Sequence, residues 1–124
     1  MTQQDKDLDI KDVKAQCSIF ESYILSVPDN IQIIICPGNH DPLRIAEPQP
    51  PIPEEHCPNL AKRPNITFVS SPSTVRISKS KGFSGIEVLI YHGYSFPFFA
   101  DKIETLRLNG GLENTSNKIG RAHV

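Results

Sequence analysis

The chain has 124 residues, 38% hydrophobic and 22% charged, which is the size and make-up of one compact soluble domain or of a piece of a larger one. No apolar run approaches the ~18–20 residues that span a bilayer, and the polar start MTQQDKDLDIKD is unlike a secretory signal. No membrane association and a cytoplasmic location are therefore expected. Thirteen basic against fourteen acidic side chains leave a net charge of −1; a grip on nucleic acid would have to come from a local patch or a partner chain.

The first periodic stretch places apolar residues at Ile10, Val13, Cys17, Phe20, Ile24 and Val27. Steps of three and four predict an amphipathic helix, with Asp9 as its cap, Pro28 beyond its end, and Lys11, Asp12, Lys14, Gln16 and Glu21 on a solvated face. Ile31 to Cys36 is a nearly continuous β-branched run, the pattern of a strand buried on both faces. It stops at Pro37-Gly38. Seven of the eleven prolines then fall between Pro42 and Pro64, which precludes a regular element there beyond a loose helical turn or two after Pro53.

Asn65–Val69 and Thr74–Ile77 read as strands. The polar turn Lys79–Gly85 makes the second of these a hairpin with Ile86–Tyr91. A closing helix is predicted from Pro97 to about Leu108, broken by Asn109-Gly110-Gly111. Cys17, Cys36 and Cys57 are too widely spaced for a paired motif and read as reduced thiols, Cys36 in the core and Cys57 in a loop. The element order predicts an α/β domain, a layered sheet with flanking helices.

The strands Ile31–Cys36 and Val88–Tyr91 each end in a turn bearing glycine and histidine, and in open α/β sheets ligands gather beyond the carboxyl ends of strands. Gly38-Asn39-His40-Asp41 is the stronger signal. Gly38 allows a sharp turn and close approach, Asn39 offers a neutral oxygen ligand, and His40 an imidazole for proton donation or charge stabilisation. Asp41 can fix the tautomer of His40. His92 follows the second strand with Gly93 leaving space beside it. His56, without a partner histidine at helical spacing, reads as a surface residue.

A GNHD turn after an apolar strand, with a later strand ending in His-Gly, resembles the calcineurin-like metallophosphoesterase superfamily. The segment Leu43-Arg44-Ile45-Ala46-Glu47-Pro48-Gln49-Pro50 narrows the likeness: the chain over about residues 7–108 is similar to the small subunits of archaeal family-D DNA polymerases. The resemblance implies the central part of a calcineurin-like domain and a 3′–5′ exonuclease that works beside a large polymerase subunit on a single-stranded or mismatched DNA 3′ end. It also implies two divalent metal ions, typically manganese. Asn39 and His92 would be ligands of one ion, His40 the catalytic histidine beside the scissile phosphate, and Asp41 the residue that orients it; two such ions activate water and stabilise in-line attack at phosphorus.

The superfamily's Asp-x-His, Gly-Asp-x-x-Asp and Gly-His-x-His motifs do not occur in this sequence. Residues 1–118 are therefore expected to be the middle of the domain, inactive alone, with residues 119–124 a non-native adapter-derived tail. Loss of those motifs would instead leave a non-catalytic polymerase B-subunit scaffold, and a metallophosphatase or phosphodiesterase of the same superfamily is a further alternative. Arg44 and the proline-rich segment 42–53 could meet DNA phosphate, meet the large subunit, or simply strap the sheet.

Overall fold

The computed structural model describes residues 8–108 and 110; the expected adapter tail and residues 111–118 lie outside them. The chain forms two compact units, the first ending at His92 and the second beginning at Gly93. The first holds helix α1 (Val13–Leu25), strands β1 (Ile33–Ile35) and β2 (Ile66–Phe68), and strands β3 (Ser73–Ile77) and β4 (Ile86–Ile90). The second holds helices α2 (Phe96–Lys102) and α3 (Glu104–Leu108).

Helix α1 begins later than its periodicity suggests. The cap is Asp12 rather than Asp9: its carboxylate accepts the Ala15 N–H at 2.8 Å, satisfying one of the free donors of the first turn. The helix packs Cys17 and Ile24 against a small core of Ile35, Ile52, Cys57 and Leu60. Between them Glu21 is buried, against the expectation of a solvated face. Its carboxylate accepts the backbone N–H groups of Asn59 (2.6 Å) and Leu60 (2.9 Å) and the Asn59 side-chain amide (2.7 Å). These donors head the irregular turns after Pro53, so a charged residue closes the core where an apolar one would leave them unpaired.

Mixed helices and small sheets agree with an α/β reading, but there is no single layered sheet among the described residues. β1 pairs in parallel with β2, Ile33 opposite Ile66, and β3 pairs antiparallel with β4, Ser73 opposite Ile90. β1 is not buried on both faces. Ile35 points into the core, whereas Ile34 is exposed on the other side of the pleat. Nor is β4 a core strand, since Ile86 and Leu89 are both more than half exposed.

The hairpin closes as expected at the polar turn, where Gly82 and Gly85 take the left-handed φ values of 83° and 89°. The thiols exchange their expected roles: Cys57 is buried at 1% exposure and Cys36 only half-buried. The predicted last helix is two, because Ile103 between α2 and α3 adopts an extended conformation, ψ 108°. No helix among the described residues is long and apolar enough to cross a membrane.

Candidate functional site

Directly after β1, Gly38 to Asp41 form a tight turn. The Asp41 N–H donates to the Gly38 carbonyl at 3.3 Å, and the Asp41 carboxylate reaches back to accept the Gly38 N–H at 2.7 Å. An aspartate that closes its own turn in this way is common local chemistry. The contact differs from the expected one, because no hydrogen bond joins Asp41 to His40 among the described residues. Asp41 shapes the loop that carries His40 rather than holding its ring.

The turn after β4 arrives alongside. His92 Nε2 lies 2.7 Å from Asn39 Oδ1, across 53 positions of sequence. The imidazole lies directly over Gly38, where a Cβ would sit 2.9 Å from its Cε1 and 3.1 Å from its Nδ1. A Cβ does not tolerate such contacts, so a larger residue at 38 would push the ring from this position. The expectation that both histidine turns share one crevice thus corresponds to a direct contact between Asn39 and His92.

His40 stands elsewhere on the turn. It is exposed and lines one side of an apolar cavity of about 580 Å³ between α1 and β1, together with Cys17, Phe20, Ile35 and Asp41. Its ring makes no hydrogen bond among the described residues. Cys17 and Cys57 line the same cavity. Burial first, then the nearby Cys17 and the acidic side chains of Glu21 and Asp41, push the Cys57 thiol up to about 11. It is therefore a protonated packing group near neutrality, not a nucleophile or a thiolate ligand.

The segment after the turn explains how the two turns meet. Gln49 is 1% exposed, and its amide nitrogen donates to the carbonyls of Gly38 (3.1 Å) and Arg44 (3.0 Å). Its backbone pairs with Ser71, N to O at 2.8 Å and O from N at 3.1 Å. The Ser71 hydroxyl, fully buried, accepts the His92 N–H at 3.1 Å. Nearby, the Tyr91 hydroxyl donates to Glu47 at 2.7 Å. Arg44 does not extend freely: its Nε (3.1 Å) and one terminal nitrogen (2.5 Å) donate to the Pro48 carbonyl. Gln49, Ser71, Glu47 and Tyr91 have no assigned role in the sequence reading. Glu47 and Gln49 stand in the segment that narrows the family likeness, and Gln49 is a lone amide inside a proline-dense run; nothing local marks Ser71.

Asn39 and His92 suit a divalent cation as two neighbouring donors. Two ligands held about 2.1 Å from one ion at right angles lie about 3 Å apart, close to the separation seen here. An amide oxygen and an imidazole without thiolate favour manganese or iron over structural zinc. Two donors are not a complete coordination shell, and no group of three or more His, Cys, Asp or Glu gathers at metal-binding range among the described residues. Gly93 takes φ 86°, and a Cβ added there would sit 3.1 Å from the Phe96 ring.

No family model matches the chain. Curated proteins do. The chain is 41% identical over 103 residues to the DNA polymerase II small subunit of Methanothermobacter thermautotrophicus, a match covering 83% of this chain and 20% of that protein. The same-named subunit of Methanocaldococcus jannaschii is 43% identical over 93 residues, 75% of this chain and 14% of that one. For Archaeoglobus fulgidus the figures are 35% over 121 residues, 98% of this chain and 23% of the relative. The chain thus spans between about a seventh and a quarter of the length of these curated relatives. Over the residues compared, it belongs to the family of archaeal DNA polymerase II small subunits, the family-D enzymes.

Proposed function

We propose that the chain carries two of the turns of a metal-dependent phosphodiesterase site in the small subunit of an archaeal replicative polymerase. The reaction is removal of nucleotides from a single-stranded or mismatched DNA 3′ end, and the working partner is the polymerase's large catalytic subunit. The fold this reading implies is the calcineurin-like metallophosphoesterase domain. The observation that carries it is the 2.7 Å approach of Asn39 and His92 from the ends of two strands that share no sheet. A buried structural histidine would not need an amide oxygen beside it at an open surface.

Asn39 and His92 would hold one of two divalent cations, manganese by donor type, with the remaining ligands supplied by residues beyond those described. The cations supply Lewis-acid polarisation of the phosphate and of the attacking water. The rest falls to the chain. The Asn39–His92 hydrogen bond keeps both donor atoms at the surface before a cation arrives, which lowers the ordering cost of binding. Nε2 carries the hydrogen of that bond, so binding a cation there requires the other neutral tautomer, with the hydrogen on Nδ1 instead. His40, with an open imidazole on the same turn, is the group that can approach a phosphate oxygen and donate a proton to the leaving alkoxide. Asp41 keeps that turn closed. Arg44, anchored through two nitrogens on Pro48, still has N–H groups to offer a phosphate of the strand.

In the full-length subunit assembled with its partner, His40→Ala should lower nuclease turnover by about two orders of magnitude or more while the bound manganese stays near the wild-type content. His92→Ala should lower the manganese content itself. Equal loss of metal in both variants would refute this division of roles, unchanged nuclease activity in both would place the activity at another site, and no nuclease activity in the wild-type assembly would leave the scaffold reading in its place.

A further inference from the structure

We propose that Gln49 is the positioning residue of this site: it locks the two histidine-bearing turns to each other so that Asn39 and His92 meet. The inference deepens the reading of that pair as cation ligands and rests on it for its functional meaning. Its geometry stands by itself. β1 and β4 belong to different two-stranded sheets, so no strand pairing sets the end of one against the end of the other. Yet their turns approach within hydrogen-bonding distance. Something other than the sheets must fix that register.

The bonds around Gln49 provide the link. One amide nitrogen holds the Gly38 carbonyl, at the start of the first turn, and the Arg44 carbonyl, on the loop that leaves it. The Gln49 backbone is paired in both directions with Ser71. Ser71 in turn holds the backbone N–H of His92 through its hydroxyl. Gln49 and Ser71 are 1% and 0% exposed, so water does not compete for these bonds.

The identity of the residue is constrained as well. Both groups facing the amide are carbonyls, so the nitrogen must point at them, while Oε1 faces away without a partner among the described residues. A glutamate offers no donor, an asparagine is one methylene short, and a leucine fills the space without either bond. Precision matters here because the imidazole of His92 rests on Gly38 with no room for even a methyl group. Small slippage of the first turn moves the ring.

The test uses the full-length subunit in two stages. Without metal, nuclear magnetic resonance follows the Asn39 side-chain amide and the His92 imidazole in wild type, Gln49→Leu and Gln49→Glu. Both variants should keep cooperative unfolding, while both probes move toward the positions of free side chains. Manganese titration followed by electron paramagnetic resonance should then show affinity reduced about tenfold or more in Gln49→Leu. Adding Gln49→Leu to His92→Ala should produce no further loss, since both act through one pair.

If Gln49→Leu fails to fold, Ser71→Ala removes only the last link and should shift the His92 probe with little change at Asn39. Unmoved Asn39 and His92 signals in folded Gln49→Leu, or an unmoved His92 signal in Ser71→Ala, overturn the proposal. A wild-type full-length subunit that takes up no manganese would count against the cation reading alone, because the metal-free signals still decide whether Gln49 positions the pair.

Discussion

The two small sheets of the first unit differ in a way that runs against their size. The β3–β4 hairpin has five paired positions and the β1–β2 pair only three. Yet no residue of β3 or β4 is fully buried, and the cross-strand ion pair Arg76–Glu87 is more than half exposed at both partners. The shorter parallel pair carries Ile35 into the core beside Leu60 and Cys57. Side chains from distant segments secure its ends: Asn65 donates its amide to the Ile31 carbonyl at 2.7 Å, and Glu21 ties α1 to the turns before β2. Ladder length therefore says little about where this chain is firm. Burial and non-local hydrogen bonds decide it, and the candidate site draws on both sheets, Asn39 following β1 and His92 following β4.

The sharpest way to break that contrast is Leu60→Ala. Leu60 is 0% exposed in the core beneath β1, and its truncation should cost about 3 kcal/mol in denaturant unfolding, through lost transfer energy and the cavity left behind. A cost below about 1 kcal/mol would show that the β1–β2 side is not the firm one.

Glu21→Gln comes next. Burial by itself raises the Glu21 pKa, but the hydrogen bonds from Leu60 and Asn59, aided by Lys62, outweigh it and hold the group below its ordinary value of 4.5. A lowered folded-state pKa means stability that is fully present above the unfolded value and lost as pH falls through the folded one. The variant should be about 1–2 kcal/mol less stable near neutrality, from losing charge-assisted bonds. It should also show a shallower loss of stability than wild type on acidification below about pH 4.5. Parallel acid limbs in the two proteins would assign the acid sensitivity to other carboxylates.

Amide hydrogen exchange compares the sheets without mutation. The Val69 N–H, bonded to the Ile35 carbonyl at 2.9 Å, and the Ile33 N–H, bonded to Asn65 at 2.8 Å, should exchange at least about tenfold more slowly than the paired amides of β3 and β4. The reverse order would place the stable unit in the hairpin. Least of all, Arg76→Ala should change stability by less than about 0.5 kcal/mol, the usual worth of an exposed ion pair. A larger loss would mean that the hairpin depends on its surface charges.

Much of the architecture was legible in the residues. Strand positions, the polar hairpin turn and the GNHD turn follow from local rules, since β-branched runs favour extended backbone and proline and glycine interrupt it. The closeness of Asn39 and His92 was foreseeable only as two strand ends facing one crevice. The misread burial of Glu21 and Ile34 turns on what lies far away in the chain, whereas the shifted cap at Asp12 and the break at Ile103 are local. Glu21 looked solvated because nothing near it announces the Asn59 and Leu60 amides, 38 and 39 positions on. Ile34 looked buried because a continuous apolar run does not say whether a second layer covers it.

Residue order by itself determined which backbone conformations were open at each position, and so the turns that carry Asn39, His40 and His92. Tertiary structure decided which strands paired, which carboxylate was buried, and that Gln49 rather than a sheet would join the two turns. The physical reason is that dihedral preferences act within a few residues, whereas a buried hydrogen bond is chosen by every group competing for the same donor once water is gone.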